Sequence, residues 1–318
     1  MGKIRAGVVG VGYLGKFHAE KYADADCAEL IGVVDIEREQ AAQVAKKNNT
    51  RAFTDYRELF GRVDAVSIAV TTPEHYQIAK AFLENGVDVL IEKPITTTID
   101  EADELIDIAE ERGLILQVGH LERFNPAVLA VKDIIKNPMF IESNRLSLYH
   151  ERGTDVSVVL DLMIHDIDII LNFVRSKISY SHAMGAPVVS GHVDIANAHL
   201  EFENGAVANA TASRISSKNE RKIRLFQKDG YLSLDFANRS IIHIWPGEED
   251  GGSVVPGMQM EERSFEQGDA LKDEIRSFLD AVDRRGQPEV SGQMGREALN
   301  IALSITRQIR ESSRWFMG

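Results

Sequence analysis

Short apolar segments alternate with amphipathic segments through the first part of the chain, and this rhythm restricts the fold more than any other feature. Five segments bounded by glycine, charged or turn residues are predicted strands: 4–9, 29–35, 65–70, 87–91 and 114–118. Helical spacing of apolar residues characterises the segments between them. Parallel neighbouring strands need a crossover helix, so the alternation predicts a doubly wound parallel sheet.

The rhythm changes after about Leu121, where hairpin signals replace the alternation. Asn204-Gly205, typical of a type I′ turn, and Asp229-Gly230 each separate two predicted strands. The other predicted elements are a helix from about Pro126, a strand at 141–149, a strongly apolar helix at 156–174, and closing helices at 269–285 and 295–315. We therefore expect two domains, residues 1–121 and residues 122–318, the second with a largely antiparallel sheet.

Charge and cysteine content restrict the partners and the compartment. The chain has 36 Lys and Arg against 49 Asp and Glu, a net charge of −13. Such a surface repels phosphate backbones and anionic lipids, so we expect a small-molecule substrate and neither nucleic acid nor membrane as partner. The single cysteine, Cys27, forms no intramolecular disulfide. With no apparent signal peptide and no apolar run of about 20 residues, a cytoplasmic location is expected.

A glycine-rich run lies between the first predicted strand and the first predicted helix, and reads Gly-Val-Gly-Tyr-Leu-Gly from Gly10 to Gly15. There Gly10 permits a tight turn, Gly12 lets the backbone approach a pyrophosphate, and Gly15 allows close helix packing. Asp35 ends the second predicted strand, where a carboxylate accepts hydrogen bonds from ribose hydroxyls and repels a 2′-phosphate. We therefore expect NAD rather than NADP and interpret Arg38 as a solvated helix residue, although it could neutralise a 2′-phosphate.

Further motifs carry a resemblance to a known family: Glu92-Lys93-Pro94 after a predicted strand, the loop from Val70 to His75, and the pair Asp161 and His165. Together with the glycine run, they make the chain similar over essentially its whole length to the Gfo/Idh/MocA family of sugar and cyclitol oxidoreductases. The resemblance implies an N-terminal Rossmann domain and a C-terminal α/β domain with a large, mostly antiparallel open sheet. The loop departs from the family pattern, because Thr71 takes a proline position.

The resemblance also implies the cofactor and its contacts. The expected cofactor is NAD, and hydride transfer to nicotinamide needs no metal, so no metal site is expected. An exposed sheet face would favour a homodimer or homotetramer. The residues expected to contact NAD are Gly10, Gly12, Tyr13, Leu14, Gly15, Asp35, Thr71, Thr72, His75, Glu92 and Lys93.

Catalysis is assigned to three residues. Lys93 follows a strand at the edge where nucleotide-fold ligands bind, and its ammonium can meet a substrate hydroxyl or developing oxyanion. Asp161, His165 and Asp168 share one helix face by their spacing, and the resemblance implies that His165 is the acid/base and Asp161 its orienting carboxylate. A solvated lysine and a structural histidine are the alternatives. Asp166 points off this face and is expected at the surface or an interface, and His18 is assigned to structure.

The substrate prediction rests on three segments, 119–126, 152–156 and 161–166. They look most like a bacterial subgroup that oxidises the 3-hydroxyl of UDP-N-acetylglucosamine, on the route to lipid A precursors. Guanidinium groups of Arg123, Arg145 and Arg152 could clamp the diphosphate, although a surface ion pair is as reasonable for each. The substrate residues expected are Lys93, His120, Arg123, Asn125, Arg145, Arg152, Asp161 and His165. Alternatives are a dehydrogenase of a free sugar or inositol and, in another class, a nonenzymatic NAD-sensing protein.

Overall fold

The computed structural model describes residues 2–150, 156–247 and 256–313. The chain divides into two compact units. The first comprises Met1–Leu121 and Asp269–Leu299, and the second comprises Glu122–Gly268 and Asn300–Gly318. Within the described ranges, no helix is both long enough and apolar enough to cross a membrane.

A six-stranded parallel sheet forms the first unit, with strands in the order β3-β2-β1-β4-β5-β6. The prediction of a doubly wound parallel sheet is confirmed. Its elements are β1 (Ile4–Val9), α1 (Gly15–Ala23), β2 (Ala28–Val34), α2 (Arg38–Lys47), β3 (Arg51–Phe53), a 3₁₀ turn (Tyr56–Leu59), β4 (Ala65–Ile68), α3 (Thr72–Glu84), β5 (Asp88–Glu92), α4 (Ile99–Arg112) and β6 (Leu116–Gly119).

Helix α4 shows how local sequence sets its ends. The Thr98 hydroxyl accepts from the Glu101 backbone N–H at 3.3 Å, and the Glu101 carboxylate accepts from the Thr98 backbone N–H at 3.0 Å. This capping box satisfies donors that the first turn leaves unpaired. Gly113 ends the helix with φ +64°, a left-handed conformation that glycine adopts without strain.

The second unit contains an eight-stranded sheet in the order β14-β13-β12-β11-β7-β10-β9-β8. Only the β7–β10 pair is parallel among its described strands, so the prediction of a mostly antiparallel sheet is confirmed. The elements are a 3₁₀ turn (Leu121–Phe124), α5 (Pro126–Leu129), β7 (Pro138–Leu146), a π-helical turn (Val159–Met163), α6 (Ile164–Val174), β8 (Ile178–Ala186), β9 (Ile195–Phe202), β10 (Val207–Ser213), β11 (Glu220–Gln227), β12 (Gly230–Asp235), β13 (Ser240–Pro246) and β14 (Met258–Ser264).

The turn between β9 and β10 differs from the type I′ turn predicted there. Gly205 has φ +85°, but Asn204 is not among the residues with positive φ. The Phe202 N–H donates to the Ala206 carbonyl and the Gly205 N–H donates to the Phe202 carbonyl, both at 2.9 Å. These bonds enclose a three-residue loop with glycine in the left-handed position, the other common way to close a hairpin.

Two helices, α7 (Ala270–Arg284) and α8 (Gly292–Ser313), follow the second sheet. The prediction that everything after residue 121 belongs to the second domain is wrong for residues 269–299, which join the first unit. The physical reason is the apolar stripe of α7, since Ile275, Phe278 and Leu279 are buried in the same core as Tyr22 of α1. The division then falls inside α8, after Leu299.

Candidate active site

The turn between β1 and α1 has the shape that a dinucleotide phosphate needs. Gly10 has φ +81°, and an added Cβ there would lie 2.7 Å from Val70 Cγ1. At Gly15 an added Cβ would lie 1.8 Å from the Gly10 carbonyl oxygen, whereas at Gly12 it would meet nothing within 4 Å. Packing therefore requires the first and third glycines, and Gly12 borders open space. Helix α1 begins here without a side-chain cap, so its N-terminus can receive a pyrophosphate.

Asp35 is held beside this turn. Its Oδ2 accepts from the Val11 backbone N–H at 2.9 Å, and its Oδ1 accepts from the Glu37 backbone N–H at 3.0 Å. The Gln40 side-chain amide, which sequence reasoning missed, donates to the Val11 carbonyl at 2.8 Å. A carboxylate has about four lone-pair sites, so these two bonds leave acceptor capacity for ribose hydroxyls. The half-buried carboxylate thus fits the adenosine ribose of NAD.

Four other predicted cofactor residues are accessible. Tyr13 is 62% exposed and Leu14 is 38% exposed. Thr71 is exposed at the N-cap of α3, and Thr72, half-buried, begins the helix. Their exposure is compatible with the predicted contacts.

His75 does not line an open surface, contrary to the cofactor contact predicted for it. The side chain is buried, with Nδ1 2.9 Å from the Pro94 carbonyl oxygen and Nε2 3.2 Å from the Val70 carbonyl oxygen. Burial lowers the pKa of His75 by more than these backbone bonds raise it. The lowered pKa favours the neutral imidazole. In the neutral form one ring nitrogen donates, so the ring braces the segment that follows Lys93 instead of presenting an edge to a ligand.

A buried histidine supports the Glu92-Lys93-Pro94 segment, in which the Lys93–Pro94 peptide is cis. His18 Nε2 lies 3.0 Å from Glu92 Oε1, with the His18 side chain 1% exposed and that of Glu92 14% exposed. Burial raises the pKa of Glu92, but the hydrogen bond and charge of His18 and the charge of Lys93 outweigh it, so the pKa falls below its ordinary value. Glu92 is therefore an ionised carboxylate next to half-buried Lys93. The only sequence signal for His18 was its place three residues after Gly15.

His120 lies directly after β6 and was predicted to meet the substrate. The structure buries it, with 1% of the residue exposed, and its backbone N–H donates to the Val118 carbonyl at 2.8 Å. The ring is therefore buried in this structure, and its contact with substrate stays a prediction.

In the second unit, Asp161 and His165 sit on either side of a change in helix type. Asp161 belongs to the π-helical turn, and His165 lies in the first turn of α6. Both side chains are half-buried, so both remain accessible. π-helical turns inside helices occur frequently at functional sites. The apolar helix predicted over 156–174 therefore carries an irregular turn where the proposed chemistry lies.

Two of the three arginines predicted to clamp a diphosphate form ion pairs within the second unit. Arg123 is buried and donates from Nε to Asp168 Oδ2 at 2.6 Å and from Nη2 to Asp168 Oδ1 at 2.8 Å. Arg145 is also buried and donates to Asp166 Oδ1 at 2.8 Å and to Glu122 Oε1 at 3.0 Å. These are two-pronged buried ion pairs. Of the two alternatives that the sequence leaves open for Arg123 and Arg145, a diphosphate clamp and an ion pair, the structure shows the ion pair, buried instead of at the surface.

The same contacts correct one other assignment, because Asp166, expected at the surface or an interface, is buried against Arg145. Asp168, on the predicted face of His165, is buried and pairs with Arg123. For Asn125 the sequence allows either a substrate contact or a helix cap, and the structure shows the cap, in which Asn125 accepts from the Ala127 backbone N–H at 3.1 Å. Arg152 lies outside the described residues.

Among the residues that the structure describes, no three His, Cys, Asp or Glu side chains are grouped so as to hold a metal ion.

Comparisons with known proteins relate the chain to a family of oxidoreductases. A family model described as an oxidoreductase family with an NAD-binding Rossmann fold matches residues 4–120, and a Gfo/Idh/MocA C-terminal domain model matches residues 139–233. A UDP-N-acetylglucosamine 3-dehydrogenase of Acidithiobacillus ferrooxidans is 39% identical over 95% of this chain and 96% of its own length. A solved structure of that enzyme superimposes with a TM-score of 0.92 at 38% identity, over 97% of this chain and 98% of the other. A myo-inositol 2-dehydrogenase of Thermotoga maritima is 24% identical over 97% of both chains.

Proposed function

Because the chain belongs to the Gfo/Idh/MocA family of NAD-binding oxidoreductases, we propose that it oxidises the 3-hydroxyl of UDP-N-acetylglucosamine to the 3-keto sugar. The observation that carries this proposal is the similarity, over nearly the whole of both chains, to an enzyme of that name. The accessible pair Asp161 and His165 and the half-buried Lys93 are the residue types that the oxidation needs.

Each of the three residues has a distinct role in the proposal. Bound NAD supplies the acceptor for the hydride that leaves the carbinol carbon. His165 in its neutral form takes the hydroxyl proton, and Asp161 orients the ring and stabilises the imidazolium that results. Lys93 donates a hydrogen bond to the substrate oxygen, where negative charge develops as the proton leaves.

The contacts around Lys93 support that role. The adjacent Glu92 carboxylate and the Lys93 ammonium attract each other, and this attraction lowers the pKa of Glu92. His18 holds Glu92 from one side, and His75 holds the Pro94 carbonyl from the other. The lysine therefore belongs to a braced segment, as a residue that must be positioned requires.

A second candidate function is dehydrogenation of a free sugar or inositol. The observation that favours it is the engagement of Arg123 and Arg145 in buried ion pairs, which removes two of the three cations expected to hold a diphosphate. Under the UDP-sugar proposal, Arg152 is the remaining member of that predicted set. Free polyols need no cation clamp, so these two functions make opposite predictions for Arg152.

A substrate panel separates the two functions. Initial rates of NADH formation would be measured with UDP-N-acetylglucosamine, free N-acetylglucosamine, myo-inositol and free hexoses at equal concentrations. We expect the UDP-sugar to react and free N-acetylglucosamine to be a very poor substrate, because the diphosphate contributes binding that the free sugar lacks. Equal or faster reaction of a free hexose or inositol would instead establish the second function. Arg152→Met should raise KM for the UDP-sugar more than it lowers kcat.

We further propose a homodimer or homotetramer in the cytoplasm. Tyr180 and Met184 on β8 are 52% and 47% exposed, and Ile195 on β9 is 38% exposed. Alternate residues of paired strands share a face, so these three apolar side chains lie on one exposed face of the edge strands, interspersed with His182, Asn197, His199 and Glu201. Light scattering after size exclusion tests the assembly, and a monomer at micromolar concentration would refute it.

A further inference from the structure

Glu274, on α7 of the first unit, is a buried acid that the proposed reaction does not use. The residue is 0% exposed, and neither carboxyl oxygen has a hydrogen-bond partner among the described residues. Its backbone carbonyl, by contrast, accepts from the Gln117 side chain at 3.3 Å. An unpartnered buried carboxyl is costly, and a native protein that retains one needs a reason for it.

The surroundings of Glu274 contain a second carboxyl group. Burial and the charge of Glu92 raise the pKa of Glu274 well above its ordinary value, while Glu92, bonded to His18, stays ionised. Burial raises the pKa of Tyr22 on α1, and its hydroxyl bonds to Ser67 at 2.9 Å. Two interacting carboxyls of this kind titrate as a pair, which here holds one proton.

Other charged groups act on Glu92 from neighbouring elements. Lys93 and His75 act on Glu92 from the segment after β5 and from α3, and both favour its ionised form. At the exposed end of α7, Lys21 of α1 pairs with Asp269 at 2.6 Å. Among these described groups, the proton of the pair therefore resides on Glu274.

Both residues lie against β6, Glu274 beside Gln117 and Glu92 beside Gly119 at the carboxyl end of the strand. Glu92 is the last residue of β5, and its carboxylate would be 3.2 Å from a Cβ added at Gly119, which ends β6. Ligands of open α/β sheets bind outside the carboxyl ends of the strands, next to these two positions. Oxidised NAD carries a positive nicotinamide ring and NADH a neutral one. A nearby positive charge favours ionised carboxyls.

We propose that Glu274 keeps a proton while the cofactor site is empty or holds NADH, and releases it to solvent when oxidised NAD binds beside Lys93. This inference rests on the proposed function, since it takes the NAD site as given. Release of one proton on binding makes the affinity for oxidised NAD rise with pH, by at most about tenfold per pH unit. The affinity for NADH should not change in this way. The buried acid would thus help the enzyme distinguish the two redox forms.

Calorimetry of the intact protein tests the proposal directly. Oxidised NAD is titrated at about pH 7.5 in two buffers of different ionisation enthalpy, and the difference in heat gives the number of protons released. We expect release of up to one proton per chain with oxidised NAD and none with NADH. No release, or the same release with both forms, would overturn the proposal while leaving the NAD site intact. A complete absence of NAD binding would overturn the proposed function as well.

Two variants locate the proton. Glu274→Gln keeps the size and neutrality of the protonated acid but cannot titrate, so proton release should disappear while NAD still binds. Asp280→Asn, an exposed carboxylate on the same helix, is the matched control and should release as the native chain does. Undiminished release by Glu274→Gln would refute the assignment. If that variant does not fold, the contrast between oxidised NAD and NADH in the native protein still decides the matter.

Discussion

The two units each bury a group of charged side chains, and the groups differ in how they are paired. In the second unit, Arg123 meets Asp168, and Arg145 meets Asp166 and Glu122, so cations and carboxylates are matched. Burial lowers the pKa of Arg145, but the charges of Asp166 and Glu122 outweigh it and keep the guanidinium ionised. In the first unit, Glu92 and Glu274 are two carboxyls near one bonded histidine, and Glu274 has no side-chain partner among the described residues.

This difference distinguishes buried charges that stabilise the fold from buried groups that can change their protonation when a ligand binds. In a buried ion pair, each group neutralises the charge of the other and uses its hydrogen-bonding capacity within the pair, so neither group is available to bind a ligand. A carboxyl pair with too few partners can change its protonation when a charge arrives. We therefore assign the arginine clusters to the stability of the second unit and the Glu92 and Glu274 pair to the response of the first unit to its cofactor.

The largest expected effect is a loss of kcat, and it comes from substituting the accessible residues Lys93 and His165 and not from either buried group. Lys93→Met and His165→Asn should each reduce kcat by about 10²- to 10⁴-fold, the usual contribution of a general acid/base or an oxyanion donor. The affinity for NAD and the unfolding temperature should change little. Steady-state kinetics and calorimetry check this, with His182→Asn on exposed β8 as the control. A loss of less than tenfold at His165 would exclude it as the acid/base.

The matched cluster should behave in the opposite way. Arg145→Met leaves Asp166 and Glu122 buried without their cation, so the free energy of unfolding should fall by about 3–5 kcal/mol. The double variant Arg145→Met with Asp166→Leu removes the cation and the more buried of its two carboxylates, and should recover part of that loss, with Glu122 left unpaired by Arg145. Urea unfolding measures both values. If the Arg145→Met protein is as stable as the native protein and its KM for a UDP-sugar is specifically raised, Arg145 binds the substrate and the structural role is contradicted.

The unmatched pair predicts a pH dependence of stability. Below pH 4.5, the ordinary value for glutamate, Glu274 is protonated in both the folded and the unfolded chain and contributes nothing to the difference. As pH rises, the unfolded chain ionises while the folded chain keeps its proton, so native stability falls until the raised pKa is passed. Glu274→Gln removes this loss and should be more stable by about 1–3 kcal/mol near pH 8.

Unfolding curves between about pH 4.5 and pH 8 test this expectation. The native protein and Glu274→Gln should coincide at the acid end and diverge as pH rises. Asp280→Asn should follow the native protein throughout. Parallel curves for the native protein and Glu274→Gln would show that the acid does not hold its proton in the folded state.

The smallest expected effect concerns Asp35. Its half-buried carboxylate accepts two backbone hydrogen bonds, so its degree of pairing is intermediate between those of the two clusters. Asp35→Ser removes the repulsion of a 2′-phosphate and should narrow the preference for NAD over NADP by about tenfold, or about 1.4 kcal/mol. Asp26→Ser, at another acidic position of the first unit, is the control. The ratio of kcat/KM for the two cofactors is the measurement. A native preference for NADP would contradict the role given to Asp35.

Local signals account for much of what the sequence predicts correctly. Thr98 and Glu101 form their capping box within a few residues, and the glycine turn needs only β1, α1 and the neighbouring strand. Hairpin positions were also recognisable, although the type of turn at Asn204 was not. The three-residue strand β3 was missed because so short a segment shows no periodicity.

What sequence reasoning missed depends on distant partners. The stripe of Ile275, Phe278 and Leu279 indicates a buried face but not which core receives it. The sequence contains no sign that Arg145 is buried, because its partners Asp166 and Glu122 come next to it only in the folded chain. Nothing in the sequence distinguishes the π-helical turn from ordinary helix. The shape of the glycine turn was therefore predictable from local sequence, whereas the buried ion pairs of Arg123 and Arg145 were not.

The position of oxidation is the central claim, and transfer of a label tests it most directly. UDP-N-acetylglucosamine carrying deuterium at carbon 3 would be incubated with the protein and NAD, and the reduced cofactor analysed by mass spectrometry. We predict that the deuterium appears in the NADH and that substrate labelled at carbon 4 yields unlabelled NADH. Unlabelled NADH from the carbon 3 substrate, or no NADH from the UDP-sugar while myo-inositol reacts, would contradict the account.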